Sequence, residues 1–225
     1  MGIGSSLGKS IAPHLGRAAP DISMHVVHEA LRRAIEGVGP LPPAAHAAEA
    51  QLREQHGDVD KGIHEVIENH VRYAAAQGFA TNLGGLVTMA VLLPANIAGL
   101  ALIQCREVAG IAHLRGYDLD DPRVRDAVLA CVLGEDNVKK LVRKKRLPST
   151  PMGIATAPVH DPYIDKIMAA EVTSELIARG AGKRLAATVA RRIPVLGGVV
   201  GAGTDGYATW QVGRYADREL LPRRR

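Results

Sequence analysis

"RRIPVLGGVVGAGTDGYATW" spans residues 191–210, and its reading decides the fold. The run Val195 to Val200 leads into Gly201-Ala202-Gly203-Thr204-Asp205-Gly206, which fits G-x-G-x-x-G. In a dinucleotide fold such glycines sit between a strand and a helix, with an acidic residue ~20 positions later for the ribose. Residues 207–225 are too few for the rest of that unit, so a nucleotide loop is not expected. A helix is. At i+3 and i+4 spacing, Gly197, Gly201, Asp205, Ala208, Val212 and Ala216 form one stripe of small residues holding a single acid. Each interior glycine costs ~1 kcal/mol relative to alanine. Close approach of a second helix offsets that cost. Asp205 is then partly buried and needs a partner, with Arg192 and Arg106 as the candidates.

The small-residue character extends to all 225 residues. Hydrophobic residues make up 47%, aromatics only 3%, and glycine numbers 24, a composition suited to closely packed helices. The mean hydropathy is near zero, which excludes a disordered chain. Cys105 and Cys131 lie in apolar segments and imply buried thiols rather than bridges, with the cytoplasm as the expected compartment. Net charge is +5, which favours anionic partners without choosing among them.

Periodicity and punctuation predict an all-α protein: one compact domain of about eight to ten helices at 21–222, after a flexible segment at 1–20 and before a basic tail at 223–225. Asp21 caps a first helix, and Gly37 to Pro43 breaks it. A second helix covers Ala44 to His56, and a third runs from Asp60 to a stop at Gly78. Leu83 to Ile103 is apolar and long enough to span a bilayer, but Pro94 and Asn96 interrupt it, so two helices meeting at Pro94 are expected. Gly116 ends the second of these. Asp121-Pro122 starts a helix that stops near Gly134, followed by a basic helix over Glu135 to Leu147. Residues 147–161 carry three prolines and read as a long loop. Asp161-Pro162 begins a helix to about Arg179, and the segments Lys183–Arg192 and Pro194–Leu220 complete the chain.

Catalytic motifs are sparse. Gly4-Ser5-Ser6-Leu7-Gly8 imitates a nucleophile elbow but has no strand before it. Gly8-Lys9-Ser10 imitates a phosphate loop, with Ile3 where a glycine is needed. Met1-Gly2 with Ser6 fits a myristoylation pattern, in a composition closer to that of high-GC bacteria. A Gly/Ser-rich tail accounts for all three. His64 and Glu68, and His25 and His28, share helix faces, but a metal site needs further ligands, so no metal and no cofactor are expected.

Lys139, Lys140, Arg143, Lys144, Lys145 and Arg146 crowd six cations into eight positions. No aromatic interleaves them, as stacking on single-stranded nucleic acid would require, so anionic lipid headgroups are expected and nucleic acid is not.

Two blocks resemble the EcsC protein family. "ARRIPVLGGVVGAGTDGYATWQVGRYADREL", residues 190–220, is similar to the family's C-terminal signature: a basic residue before Ile-Pro, a Gly-rich Val run, an Asn or Asp, and a closing helix. "LPANIAGLALIQCREVAGIAHLRGYDLDDPRVRDAVLACVLG", residues 93–134, is similar to its other block. The resemblance implies that Arg106, Gly116, Tyr117, Asp118, Pro194, Gly197, Gly201 and Asp205 matter, and it assigns them no catalytic role. It also implies a membrane transporter as a possible partner, because the family is named after a gene beside those of an ABC transporter.

The reading that follows is a non-enzymatic protein that binds lipid or another hydrophobic ligand, in the cytoplasm on the inner membrane face. Leu86, Met89, Leu92, Leu93, Ile97, Leu100, Ile103, Val199 and Val200 would line the apolar groove, and the basic run would meet headgroups. The alternatives are an accessory module for a transporter and a metal-dependent hydrolase with converging His, Glu and Asp.

Overall fold

The computed structural model describes residues 25–83, 89–189 and 194–223, with side chains described for 25–80, 97–179 and 202–223. The described residues form nine helices: α1 (described over 25–36), α2 (Ala44–Glu54), α3 (Val59–Leu83), α4 (Met89–Leu114), α5 (Pro122–Leu133), α6 (Glu135–Arg143), α7 (Pro151–Ala155), α8 (Pro162–Val189) and α9 (Pro194–Glu219). They pack into one all-α domain. The described residues hold no strand, only an isolated bridge between Val38 and Leu41 in the turn after α1.

Local signals place several ends. Asp121 caps α5 by accepting from the Arg123 N–H at 2.9 Å, and Pro122 occupies the first turn, where its missing donor costs nothing. At the end of α4, Gly116 takes a φ of +85°, and the N–H of Tyr117 closes back on the Ala112 carbonyl at 3.0 Å. The same closure ends α6, with Lys145 in the glycine position at φ +56° and the Arg146 N–H bonded to the Leu141 carbonyl. A side chain in that left-handed region is strained by roughly 1 kcal/mol. Lys145→Gly is therefore expected to raise stability by ~0.5–1 kcal/mol, seen as a thermal midpoint higher by about 2–4 °C. An unchanged or lower midpoint would contradict it.

Four expected boundaries move. α3 passes through Gly78 to Leu83. α4 starts at Met89 and passes through Pro94, so the helices do not meet there. Pro94 falls beyond the four orphan donors of the first turn, so its missing N–H leaves one bond of the helical ladder unmade. α8 runs to Val189, through Gly180 and the predicted break before Lys183. The 147–161 loop contains α7, whose Pro151, Ile154 and Ala155 are buried, and which packs on α5. The expected flexible segment at 1–20 lies outside the described residues.

α5 is the centre. Ala127 to Leu133 are each at most 1% exposed, and α4, α6, α7, α8 and α9 surround them. Within α4, Ile97–Leu114 is long and apolar enough to cross a membrane, yet 61% of it is buried inside the protein, as in a core helix. α3 and α9 make the broadest pairing. Gly206 lies at that pairing, where a Cβ would make ordinary contacts, 3.4 Å from the Ala75 Cβ and 3.6 Å from the Val71 carbonyl oxygen. Gly203 faces open space instead.

Candidate functional site

α6 is short and strongly two-faced. Val138 and Leu141 are buried, while Lys139, Lys140, Arg143, Lys144, Lys145 and Arg146 are all exposed. Lys139 pairs with Glu135 at 2.6 Å and Arg146 with Glu171 at 2.5 Å. Lys140, Arg143, Lys144 and Lys145 make no ion pair to any described residue. They gather at the C-terminal end of α6, where the helix carbonyls favour positive charge.

At the opposite, N-terminal end of α6, α5, α6, α8 and α9 enclose a cleft of about 810 Å³. Trp210 stands on its α9 wall and Asp136 and Asn137 on its α6 wall, with Arg179, Arg214 and Arg218 around it. Arg179 is bound to Glu175 at 2.8 Å and Arg218 to Glu135 at 2.6 Å, so the cleft's charges are largely paired among themselves. Trp210 stacks on Tyr207 with centroids 5.9 Å apart. Both are exposed, as are Tyr73 and Phe79 on α3 and Tyr163 on α8. A chain with few aromatics thus shows most of them to solvent.

Of the expected apolar ligand residues, Leu86 lies outside the described residues. Met89, Leu92, Leu93, Val199 and Val200 belong to α4 and α9, with their side chains outside the description. Leu100 is buried and Ile97 and Ile103 are half-buried on α4; none of the three lines the cleft.

The family positions take structural places. Arg106 donates to the Pro42 carbonyl at 2.6 Å and so ties α4 to the turn before α2. That interaction engages one candidate partner of Asp205; the other, Arg192, lies outside the described residues. Asp205 is 1% exposed in the floor of the cleft. Gly116 sets the turn that presents Tyr117, whose hydroxyl donates to the Leu221 carbonyl at 3.0 Å. Arg223 covers the Tyr117 ring, and its N–H reaches the Arg115 carbonyl at 2.8 Å. Asp118 accepts from the Asp120 N–H in the following turn. Pro194 opens α9, and Gly197 and Gly201 lie within it.

Sequence reasoning missed two arrangements, one half-buried and one fully buried. The first joins four segments. His28 of α1 meets Asp165 of α8 at 2.9 Å, and His160, before α8, meets Asp126 of α5 at 3.1 Å. Burial holds the Asp126 carboxyl above its ordinary range; the Asp165 charge adds to this, and His160 and His28 oppose it. The hydrogen bond that His28 donates to Asp165 holds His28 above its ordinary value and Asp165 below its own. The His28–Asp165 pair is therefore most stabilising between the two titrations, fading as pH rises through the His28 value or falls through that of Asp165. Asp126 has the opposite sign: its cost grows as pH climbs from the ordinary carboxylate range toward its raised value. Asp126→Asn is expected to gain about 1 kcal/mol at pH 8, raising the thermal midpoint by about 2–4 °C, and to gain less at pH 4. Equal shifts at both pH values would rule out titration as the cause.

The second arrangement is Gln104 and Glu107 on α4, both 0% exposed. Their one-turn spacing inside an apolar helix was the available signal. Among the described residues no group of three His, Cys, Asp or Glu side chains forms a metal site, and His64 simply pairs with Glu68 at 3.0 Å. Cys105 and Cys131 are buried free thiols.

The fold and site define an all-α protein with a polar seam in its helical core and a basic outer edge. The family model of the EcsC protein family matches residues 7–224, so the chain belongs to that family. No curated protein and no solved structure matches it.

Proposed function

We propose that this protein binds anionic membrane surfaces from the side, with the basic end of α6 against the headgroups, and takes up a lipid or other apolar ligand along α4. The observation that carries the reading is the set of four exposed cations, Lys140, Arg143, Lys144 and Lys145, with no acidic partner among the described residues. Clustered Lys and Arg near a bilayer contribute ~1 kcal/mol each toward acidic headgroups. Trp210 of the exposed Tyr207–Trp210 stack lines the cleft at the other end of α6, and such rings favour the membrane–water boundary. The apolar ligand would contact α4 through Ile97, Leu100 and Ile103, together with the adjoining Leu86, Met89, Leu92, Leu93, Val199 and Val200.

Flotation with vesicles of neutral lipid, and with vesicles containing anionic lipid, tests the first part; mass spectrometry of lipid co-purified with the protein tests the second. Co-flotation only with anionic vesicles is expected. Equal behaviour with both vesicles, or none, ends the reading. The exposed aromatics also favour a second reading, a protein partner such as a transporter, since Trp and Tyr anchor protein interfaces. It predicts that Trp210→Ala abolishes partner capture while vesicle binding is absent.

A further inference from the structure

Gln104 and Glu107 lie one turn apart on α4, on the side that meets α9. Gln104 Nε2 donates to Thr209 Oγ1 at 3.3 Å, and its Oε1 has no hydrogen-bond partner. Neither carboxyl oxygen of Glu107 has one. Gly213, one turn beyond Thr209, is the notch that admits this carboxyl: a Cβ there would overlap Glu107 Oε1 and lie 2.8 Å from Ile67 Cγ1.

The charged and titratable groups around the seam are committed or neutral. Arg106, next along α4, donates to the Pro42 carbonyl. Arg115, further along α4, holds Asp60 and Asp217, and Arg214 of α9 also reaches Asp217. From α3, His70 is 6% exposed, with Nδ1 bonded to the Val66 carbonyl at 2.7 Å; burial lowers its pKa to about 4, so it is neutral. α9 contributes buried Asp205 and Tyr215, and α5 contributes Cys131, whose thiol burial pushes up. A carboxylate in such a place has lost its water and gained neither hydrogen bond nor counter-charge. The uncharged acid is the form that fits.

We propose that Glu107 is a proton-binding site of the fold, and that release of its proton separates α9 from α4. Ionisation creates a charge that only water or a cation can stabilise. Glu107 is 0% exposed, so neither arrives unless the seam beside Gly213 opens. Burial raises the titration of this carboxyl well above the ordinary glutamate range, which moves the event toward neutral or alkaline pH.

Two measurements on the full chain test the proposal. Glutamate labelled with ¹³C at the side-chain carboxyl is followed by NMR through a pH titration; Glu107 is the one glutamate buried among the described residues. One glutamate carboxyl is expected to stay protonated at pH 7, after all others have ionised. Hydrogen exchange of peptides covering 207–219, corrected for intrinsic rates, is expected to lose at least tenfold protection as that carboxyl ionises. Glu107→Gln, which stays uncharged, is expected to keep its protection over the same range. The proposal is overturned if every glutamate is ionised at pH 7, if α9 protection ignores the titration, or if Glu107→Gln loses protection as the wild type does. The NMR measurement needs no variant, so it decides even where Glu107→Gln fails to fold.

Discussion

Alanine at Lys140, Arg143, Lys144 and Lys145 together is expected to lower affinity for anionic vesicles about a thousandfold. Each cation contributes ~1 kcal/mol near an acidic surface, and roughly 4 kcal/mol is close to three decades in a binding constant. The four are chosen because Lys139 and Arg146 are held by Glu135 and Glu171, so their removal would disturb stability as well as charge. The four replaced side chains are exposed and hold nothing, so the fold should tolerate the change within about 0.5 kcal/mol each. Vesicle sedimentation at rising salt is the measurement. Wild-type binding should fall steeply with salt, because exposed charges are screened within ~10 Å at 0.1 M, and the variant should show little dependence. A variant that binds as tightly as the wild type would remove α6 from the interface.

The second large effect is a change of sign. Gly213→Ala places a methyl group where Glu107 and Ile67 already sit. Overpacking a filled core costs ~1–3 kcal/mol, against ~1 kcal/mol gained when alanine replaces a helical glycine. A net loss of about 1–2 kcal/mol is expected. Shortening the acid changes the balance. In a Glu107→Ala background the overlap with the carboxyl is gone and the vacated space lets the Ile67 side chain, 2.8 Å from the added methyl, move aside, so the same Gly213→Ala should now be neutral or stabilising by up to ~1 kcal/mol. The double-mutant cycle by urea unfolding therefore gives a coupling of about 2 kcal/mol between positions 107 and 213. Additive effects would mean that the notch and the carboxyl do not depend on each other.

What was legible in the sequence was whatever depends on near neighbours. Asp121-Pro122, Gly116 and Gly134 end or begin helices through bonds to residues at most five positions away, so their chemistry can be read locally. The basic run was legible as a surface for a similar reason: six cations in eight positions cannot be desolvated together. Gly78, Pro94 and the break expected between Arg179 and Lys183 misled, because a breaker inside a helix is overruled by packing that the local window does not contain. The glycines of α9 that meet α3 are Gly206 and Gly213, outside the expected stripe, whose Asp205, Ala208 and Val212 line the cleft instead. Glu107 was the least legible. Its one-turn spacing from Gln104 in an apolar helix marks a polar pair, and only the meeting with Gly213 of a distant helix makes it a buried acid. The His28–Asp165 contact, 137 positions apart, was beyond the reach of spacing arguments.

The pairing of α3 with α9 also carries a timing consequence. The face of α3 around Ile67, Val71 and Ala75 is completed by Gly206 and Gly213, which follow it by more than a hundred residues. At ~5–20 residues per second on the ribosome, that interval is about 7–30 s. Throughout it the nascent chain presents α3 without its cover and α4 with Glu107 still open to water. The early helices can form by themselves, but the carboxyl can be sealed only when the last described helix arrives. Closure is thus a late, long-range step, of the kind that slows folding and leaves apolar surface exposed to chaperones and to other chains in the meantime.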